Sequence, residues 1–418
     1  MLLMARSAAS ARKIKTPILL NSAEMEVVRA LRKRGSISRT EVASVASWSR
    51  AKATQEIRAL IGKGYLVEKG EGVSSGGRKP RLLYINHELG FLAGIDIGAT
   101  SMDLALADVS GKILQRRSEP ADVRQPADVV MGRSAELLCD MIVAQGGRPE
   151  QVLGIGVGVP GPVDFARGVL VAPPLMPDWE NFPIREFFKK TFNSAFVAVD
   201  NDVNIMALGE QRYTGVNADH FIFVKVGTGI GAGIVSNGRI HRGSDGCAGD
   251  IGHICVDKQG PICRCGNSGC LEAMAAGPAI VERAIEAARN GSSPLLAQIL
   301  AGNGTLRPED VNTAIKEGDE AALEIIRSSG QMIGDVLAGL VNFFNPSHIF
   351  IGGGVANFGN HFLVAIRRAV LRRSLPLATT HLSINFSRAG AEAGVNGALA
   401  LAINYLFMVA DGRPPLIT

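Results

Sequence analysis

Long apolar runs are missing from this sequence. No stretch of about 18 uninterrupted apolar residues occurs among its 418 residues, so no membrane span is expected. A secretory leader is missing as well. The opening MLLMARSAASARKIKTPILL has basic residues but no long apolar core running to a small-residue cleavage site, and residues 1–21 read as a disordered lead. Cysteine is scarce, with six in all. In a cytoplasmic chain cysteines stay reduced, so clustered ones point to metal rather than to disulfides. Acidic residues are scarce in one region only. Residues 1–90 hold 17 Lys+Arg against 7 Asp+Glu, whereas residues 91–418 hold 27 against 32. A basic segment on an acidic body suits a polyanion partner, although a solvated basic face would give the same count.

What is present begins with a helical pattern. SAEMEVVRALRKR (22–34) repeats Met25, Val28 and Leu31 on one face, with Ser22 as its cap and Gly35 as its stop. SRTE (38–41) is a capping box that starts a short second helix. A third begins near Ser49, with Ala53, Ile57, Leu60 and Ile61 on its apolar face. YLVEKGEGVSSGGRKPRLLYI then reads as two strands around a Gly/Ser-rich turn. Three helices and a hairpin, over 22–85, follow the order of a winged helix-turn-helix. The third helix would enter the major groove, presenting Ser49, Arg50, Lys52, Thr54, Gln55 and Arg58 to phosphates and base edges. The wing would offer Arg78, Lys79 and Arg81, with Gly76 and Gly77 letting the backbone approach the minor groove.

From residue 86 to 418 the texture is α/β. FLAGIDIGATSMDLALADVSGKILQ reads as strand, turn, strand, turn, strand, and FIFVKVGTGIGAGIVSNGRI repeats the strand–glycine turn–strand theme. That recurrence suggests a duplicated core with a ligand cleft between its halves. Asp96, Gly98 and Thr100 in the first turn suit a phosphate and a metal-bound water. SHIFIGGGVA ends a strand in Gly352, Gly353 and Gly354, which could underlie a flat ligand or simply form a tight turn. Asn201 and Asp202 sit between a strand and a helix, where they could bind and deprotonate a hydroxyl or merely cap the helix. Residues 252–272, GHICVDKQGPICRCGNSGCLE, gather three cysteines within eight residues behind a histidine.

Taken together, DIGAT, GVGVPGPVD, NDVNIMALGE, GTGIGAG, the Cys/His block and IFIGGGV resemble the ROK family of repressors and sugar kinases. The resemblance implies a two-lobed actin-like ATPase/sugar kinase (ribonuclease H-like) fold behind the winged helix-turn-helix. It implies a structural zinc on His253, Cys263, Cys265 and Cys270, four ligands that leave no open position for water. It places a sugar on Asn201, Asp202, Asp250, His253 and Glu272. If nucleotide binding is retained, ATP and Mg would lie along Asp96, Gly98, Thr100, Gly227, Thr228, Gly229 and Gly352–Gly354, with Asp202 as catalytic base. Two departures weigh against phosphoryl transfer: Asp250 stands where ROK kinases carry Glu, and Ala99 where they carry a second glycine. Cys139, Cys247 and Cys255 read as buried apolar residues. The expected function is a repressor that binds operator DNA as a dimer or tetramer and responds to a sugar, a sugar phosphate or another sugar derivative, with a sugar kinase carrying a regulatory head as the alternative, and a protein-docking scaffold a distant third.

Overall fold

Asn21, rather than Ser22, caps the first helix. Its side chain accepts from the Glu24 amide at 2.8 Å, and the Glu24 carboxylate accepts from the Asn21 amide at 3.2 Å, so two otherwise unpaired donors are satisfied reciprocally. The computed structural model describes residues 16–71, 80–193, 195–213, 215 and 218–409. Within the stretch expected to be a disordered lead, Ile18–Leu20 forms strand β1, which pairs in parallel with the last described strand. The alternation Ile18 in, Leu19 out, Leu20 in explains it: two aliphatic side chains gain a buried face that the sequence alone did not reveal.

Helices α1 (Ser22–Arg34), α2 (Arg39–Val45) and α3 (Arg50–Gly62) follow, with a three-stranded antiparallel sheet ordered β2 (Ile37–Ser38), β4 (Arg81–Ile85), β3 (Leu66–Glu71). Ser38 and Glu41 form the expected capping box, and Ser49 caps α3 by accepting from Lys52 N. Met25, Val28, Leu31, Ile57 and Leu60 are buried together. Their cluster is not private to the head. It continues through Leu92, Ala107 and Val109 into the body and through Leu399, Ala402 and Ile403 of the last helix.

Two five-stranded sheets build the body. The first orders β11 (Phe196–Asn201), β8 (Val152–Val159), β5 (Phe91–Ile97), β6 (Ser101–Asp108), β7 (Ile113–Pro120). The second orders β16 (Ser383–Phe386), β15 (His348–Gly352), β12 (Phe221–Val226), β13 (Ile230–Ser236), β14 (Arg239–Ile240). In each, three antiparallel strands are followed by two that run parallel to the first. The duplication read from the two glycine turns is therefore a duplication of topology. A short ribbon, β9 (Val163–Asp164) with β10 (Val169–Leu170), leaves the end of β8. Helices α4 (Ala127–Ala144) and α5 (Ile184–Thr191) cover the first sheet. Around the second lie α7 (Leu271–Ala275), α8 (Gly277–Arg289), α9 (Pro294–Asn303), α10 (Pro308–Lys316), α11 (Glu320–Phe344), α12 (Asn360–Arg373) and α13 (Pro376–Thr379). Between the sheets run α6 (Asp202–Tyr213) and α14 (Ala393–Leu406), the latter ending at β17 (Phe407–Val409). This is the α/β, actin-like sugar kinase fold behind a helical head. No helix of the described residues is long and apolar enough to cross a membrane.

Glycines let α14 approach both α6 and the first sheet. A Cβ on Gly397 would overlap the Ile205 carbonyl and one on Gly209 the Ala393 carbonyl, between α14 and α6, and one on Gly156 of β8 would overlap the Ala398 carbonyl. At the far end of α14, Arg32 of α1 donates to Ile403 O at 2.7 Å, and its guanidinium lies 5.1 Å from the centre of the Phe407 ring.

Candidate ligand-binding cleft and metal centre

A cavity of about 340 Å³ opens between the two halves of the body. Asn201, Asp202, Asp250, His253 and Glu272 all line it, joined by Lys225, Thr228, Gly229, Arg264 and the Pro173–Met176 wall. The sheets dictate this gathering. β11 delivers Asn201 and Asp202 to the start of α6, β12 and β13 flank the 227–229 turn, and the loop after β14 brings Asp250 and His253.

Each polar group has a definite engagement. The Asn201 carbonyl oxygen accepts from Val203 N at 2.9 Å, and its amide donates to Gly161 O at 2.9 Å, so this residue also caps α6 and ties down the loop after β8. Asp202 is 5% exposed, and one of its oxygens meets the Lys225 ammonium. Glu272 accepts from Ile230 N at 3.0 Å, bracing the glycine turn while facing the cavity. Asp250 is exposed, with an oxygen 3.8 Å from His253 Nε2. Below them, Asp200 is buried and takes Arg242 at 2.6 and 3.0 Å and Asn204 at 2.9 Å, while Arg242 covers the Phe165 ring at 3.9 Å. Lys225, Asp200 and Arg242 were not singled out from the sequence. A lysine inside the apolar run FIFVKV was the one readable signal among them.

The expected nucleotide residues are only partly gathered. Thr228 and Gly229 line the cavity, but Asp96, Gly98, Thr100, Gly227, Gly352, Gly353 and Gly354 are not in its wall. Packing accounts for two of the three late glycines. A Cβ on Gly352 would lie 2.5 Å from the Phe223 ring, and Gly353 has φ +87° with the Val226 carbonyl against it.

His253, Cys263, Cys265 and Cys270 bring one nitrogen and three sulfurs within 4.8 Å of one another. Cys263 Sγ lies 3.7 Å from His253 Nδ1, and Cys265 Sγ 3.7 Å from Cys270 Sγ. Thus Nδ1 faces the sulfurs while Nε2 faces Asp250 and the cavity. The loop is shaped for this: Cys255 bridges Cys270 and Ile262 bridges Ser268 across it, and Gly269 has φ +67° against the Asp257 carbonyl. The backbone N–H of Asn267 draws the Cys265 thiol down to about 7, whereas burial pushes Cys263 up and Cys270 up to about 12. A donor set of one imidazole and three thiols fits a tetrahedral, closed metal site. The other three cysteines depart from expectation. Cys247 and Cys255 are exposed and Cys139 is half-buried, because they fall on the cavity rim, the outer loop and an outer helix face.

On the head, Ser49, Arg50, Lys52, Gln55 and Arg58 are exposed and Thr54 is half-buried; Lys52, Gln55 and Arg58 turn away from the buried Ala53, Ile57 and Leu60, whereas Ser49 and Arg50 are exposed at the start of α3. Lys52 leans over the Trp48 ring at 4.6 Å. Arg78 and Lys79, with Gly76 and Gly77, lie outside the described residues.

The model of one protein family, described as the ROK family, matches residues 92–405. The chain belongs to the ROK family. The xylose repressor of Caldicellulosiruptor bescii is 32% identical over 371 residues, covering 88% of this chain and 92% of its own. The glucokinase of Thermotoga maritima is 31% identical but covers 74% of this chain and 96% of its own. Among solved structures, a ROK family transcriptional regulator, a homologue of the Escherichia coli Mlc protein, superposes with a TM-score of 0.77 at 27% identity, covering 92% of this chain and 97% of its own.

One acid near this ROK cleft is strongly perturbed. The Asp96 carboxylate lies against Gly394 in the first turn of α14. Burial, reinforced by the charge of Asp202 and opposed by Lys225, raises it from 3.8 to about 7. Because the folded value lies above the unfolded one, the stabilising effect of the neutral form is complete below pH 3.8 and is lost as the pH rises through about 7. Asp96→Asn is therefore expected to leave the melting temperature unchanged near pH 4 and raise it at pH 8. A difference that stays flat across thermal melts at these values would contradict the burial of this carboxylate.

Proposed function

We propose that this protein is a sugar-responsive DNA-binding transcriptional repressor. The observation that carries the reading is the union, in one chain, of an exposed basic recognition face on α3 with a cleft that converges five polar side chains suited to hydroxyls. The near full-length likeness to a xylose repressor supports it, since a free-standing glucokinase leaves about a quarter of the chain unmatched. Carboxylates accept from sugar hydroxyls, while His253 Nε2 and the Asn201 amide supply further polar contacts. The metal is zinc in this reading, and its work is to hold the loop that carries His253 and Glu272 at its ends. Operator half-sites mirror a two-fold axis, so the acting form is a dimer or a higher homo-oligomer. Sugar binding changes the closure of the cleft, and the heads lose their register on the DNA.

Residues 22–85 are the DNA-binding head in this reading, with Ser49, Arg50, Lys52, Thr54, Gln55 and Arg58 toward the duplex and Arg78 and Lys79 as further DNA-binding residues. Selection from a randomised duplex pool should return a specific site whose affinity falls steeply with salt. Arg50→Ala should weaken that site by about 1–3 kcal/mol if it reads a base edge, or flatten the salt slope if it contacts a phosphate. Failure of the full chain to bind any duplex selectively would end the repressor reading. The second reading, an ATP-dependent sugar kinase with a regulatory head, draws on the glucokinase likeness and on Asp202 at the cleft. Brisk sugar-dependent ADP formation that Asp202→Asn abolishes would promote it.

A further inference from the structure

Lys225 is the one charged residue of β12, whose sequence is FIFVKV. It lies beside Gly231 on β13 and Gly352 on β15, in the middle of the second sheet. Phe221 and Phe223, on the same face of the strand, pack with Val203, Met206 and Ala207 of α6. That face carries the lysine to the first turn of α6, where its ammonium meets Asp202. Its stem runs beneath the glycine turn, and a Cβ on Gly227 would lie 3.7 Å from Lys225 Cε. Burial works against its charge, but Asp202, then Asp96 and Glu272, outweigh burial and hold its pKa above the ordinary lysine value. The ammonium stands among the carboxylates of two different strand ends, which favour its charged form.

Phosphoryl transfer asks two things of such a place. A divalent cation must bring the nucleotide phosphates in, and a carboxylate must be open to the attacking hydroxyl. A fixed ammonium on Asp202 repels the first and already occupies the second. The residues present thus do not fit a metal–nucleotide complex. They do fit a single hydroxyl, which can donate to Asp202 and accept from Lys225. We infer that Lys225 is a built-in counter-cation that closes the cleft to metal–nucleotide complexes and leaves Asp202 to receive a sugar hydroxyl without transferring phosphate to it. This deepens the repressor reading and rests on it for the identity of the ligand class.

The test uses the full chain carrying its zinc, with Mn²⁺ as the probe, followed by electron paramagnetic resonance with and without a non-hydrolysable ATP analogue. Wild type and Lys225→Arg should bind no stoichiometric Mn²⁺. Lys225→Met should gain about one Mn²⁺ per chain, at least roughly tenfold tighter than any site in wild type, and Lys225→Met combined with Asp202→Asn should lose it again. If Lys225→Met is unstable, MnCl₂ should raise its melting temperature while leaving wild type and Lys225→Arg unmoved. Stoichiometric Mn²⁺–nucleotide binding by wild type would overturn the inference. So would a Lys225→Met chain that neither gains a site nor is stabilised by the metal. Sugar-triggered release of DNA is scored separately on wild type: its absence counts against the repressor reading, whereas the metal titrations judge Lys225 alone.

Discussion

Cys263→Ser should strip the chain of its metal and silence its response to sugar. The wild-type protein as purified is expected to hold about one zinc per chain, since the four donors fill a tetrahedron. A serine hydroxyl is a poor substitute for a thiolate, and closed zinc sites in small domains are worth about 10–16 kcal/mol of binding energy that doubles as folding energy. Here that energy would act on the loop 253–270, whose own backbone bonds, such as Val256 N to Gly269 O, Cys263 N to Asn267 O and Gly269 N to Pro261 O, are local and leave the four donor side chains to be gathered by the metal. With the clamp open, His253 at one end and Glu272 just past the other lose their places in the cavity wall. Elemental analysis should therefore fall from one zinc to none, and sugar should no longer shift the melting temperature or release DNA. DNA binding itself should persist, because the head is packed against the opposite end of the body. Cys255→Ser is the control: it is exposed, stands outside the donor set, and should keep both metal and response. A fully responsive wild-type sample without zinc would refute the clamp.

The second large effect is structural, and its sign is diagnostic. Replacing a helical glycine by alanine normally stabilises by about 1 kcal/mol, because alanine has the better helix propensity. Gly397→Ala should do the reverse and cost on the order of 3 kcal/mol. Its Cβ would overlap the Ile205 carbonyl, so α6 and α14 would have to part along their whole crossing. Neither side can yield cheaply, because Gly94 and Gly156 seat α14 on the first sheet just as closely. Gly339→Ala, inside α11 toward its C-terminal end with nothing within 4 Å of its new Cβ, is the matched control and should be stabilising by up to about 1 kcal/mol. Urea midpoints measure both. A stabilising Gly397→Ala would mean that the two helices are not in contact at this point.

The reach of sequence reasoning followed the range of the interactions concerned. α1, α2 and α3 depend on spacings of three and four residues and on caps, so their extents were legible to within a residue; only the cap moved, from Ser22 to Asn21, because asparagine's carbonyl reached Glu24 N and the serine lay one place too late. The leading hairpin of each sheet was legible because each glycine turn sits between apolar strands, whereas the parallel strands added beside it were not assigned to the sheets. The four metal donors were legible as a set because all of them fall on one short loop. The pairing of β1 with a strand at the other end of the sequence left no local mark, and an unstructured lead was the natural reading. The same holds for Asp200 with Arg242 and for Asp202 with Lys225. Each looks like an ordinary charge until the fold brings its partner across. Gly352 and Gly353 show a different limit: their motif is visible locally, but the Phe223 ring and the Val226 carbonyl that leave no room for a Cβ there are not.

The last helix has a bearing on how finely this molecule could measure DNA. α14 begins with Gly394 against the Asp96 carboxylate and ends where Arg32 bonds Ile403 O and β17 zips to β1. Fourteen residues of α-helix make a rod of about 21 Å. Glycine seats hold it closely along its length, so a disturbance at one end would be carried by the rod as a whole. A pivot of about 10° at the cleft end sweeps the other end through roughly 4 Å, a rigid-body displacement of the kind that subunit rotations produce. Half-sites on a duplex recur every 34–36 Å or so, so two such sweeps in a dimer would mistune the spacing of its heads by a sizeable fraction of a helical turn. The stiffness that makes Gly397 intolerant of one methyl group is thus also what would set the gain of the instrument: a softer crossing would bind sugar equally well and report it less.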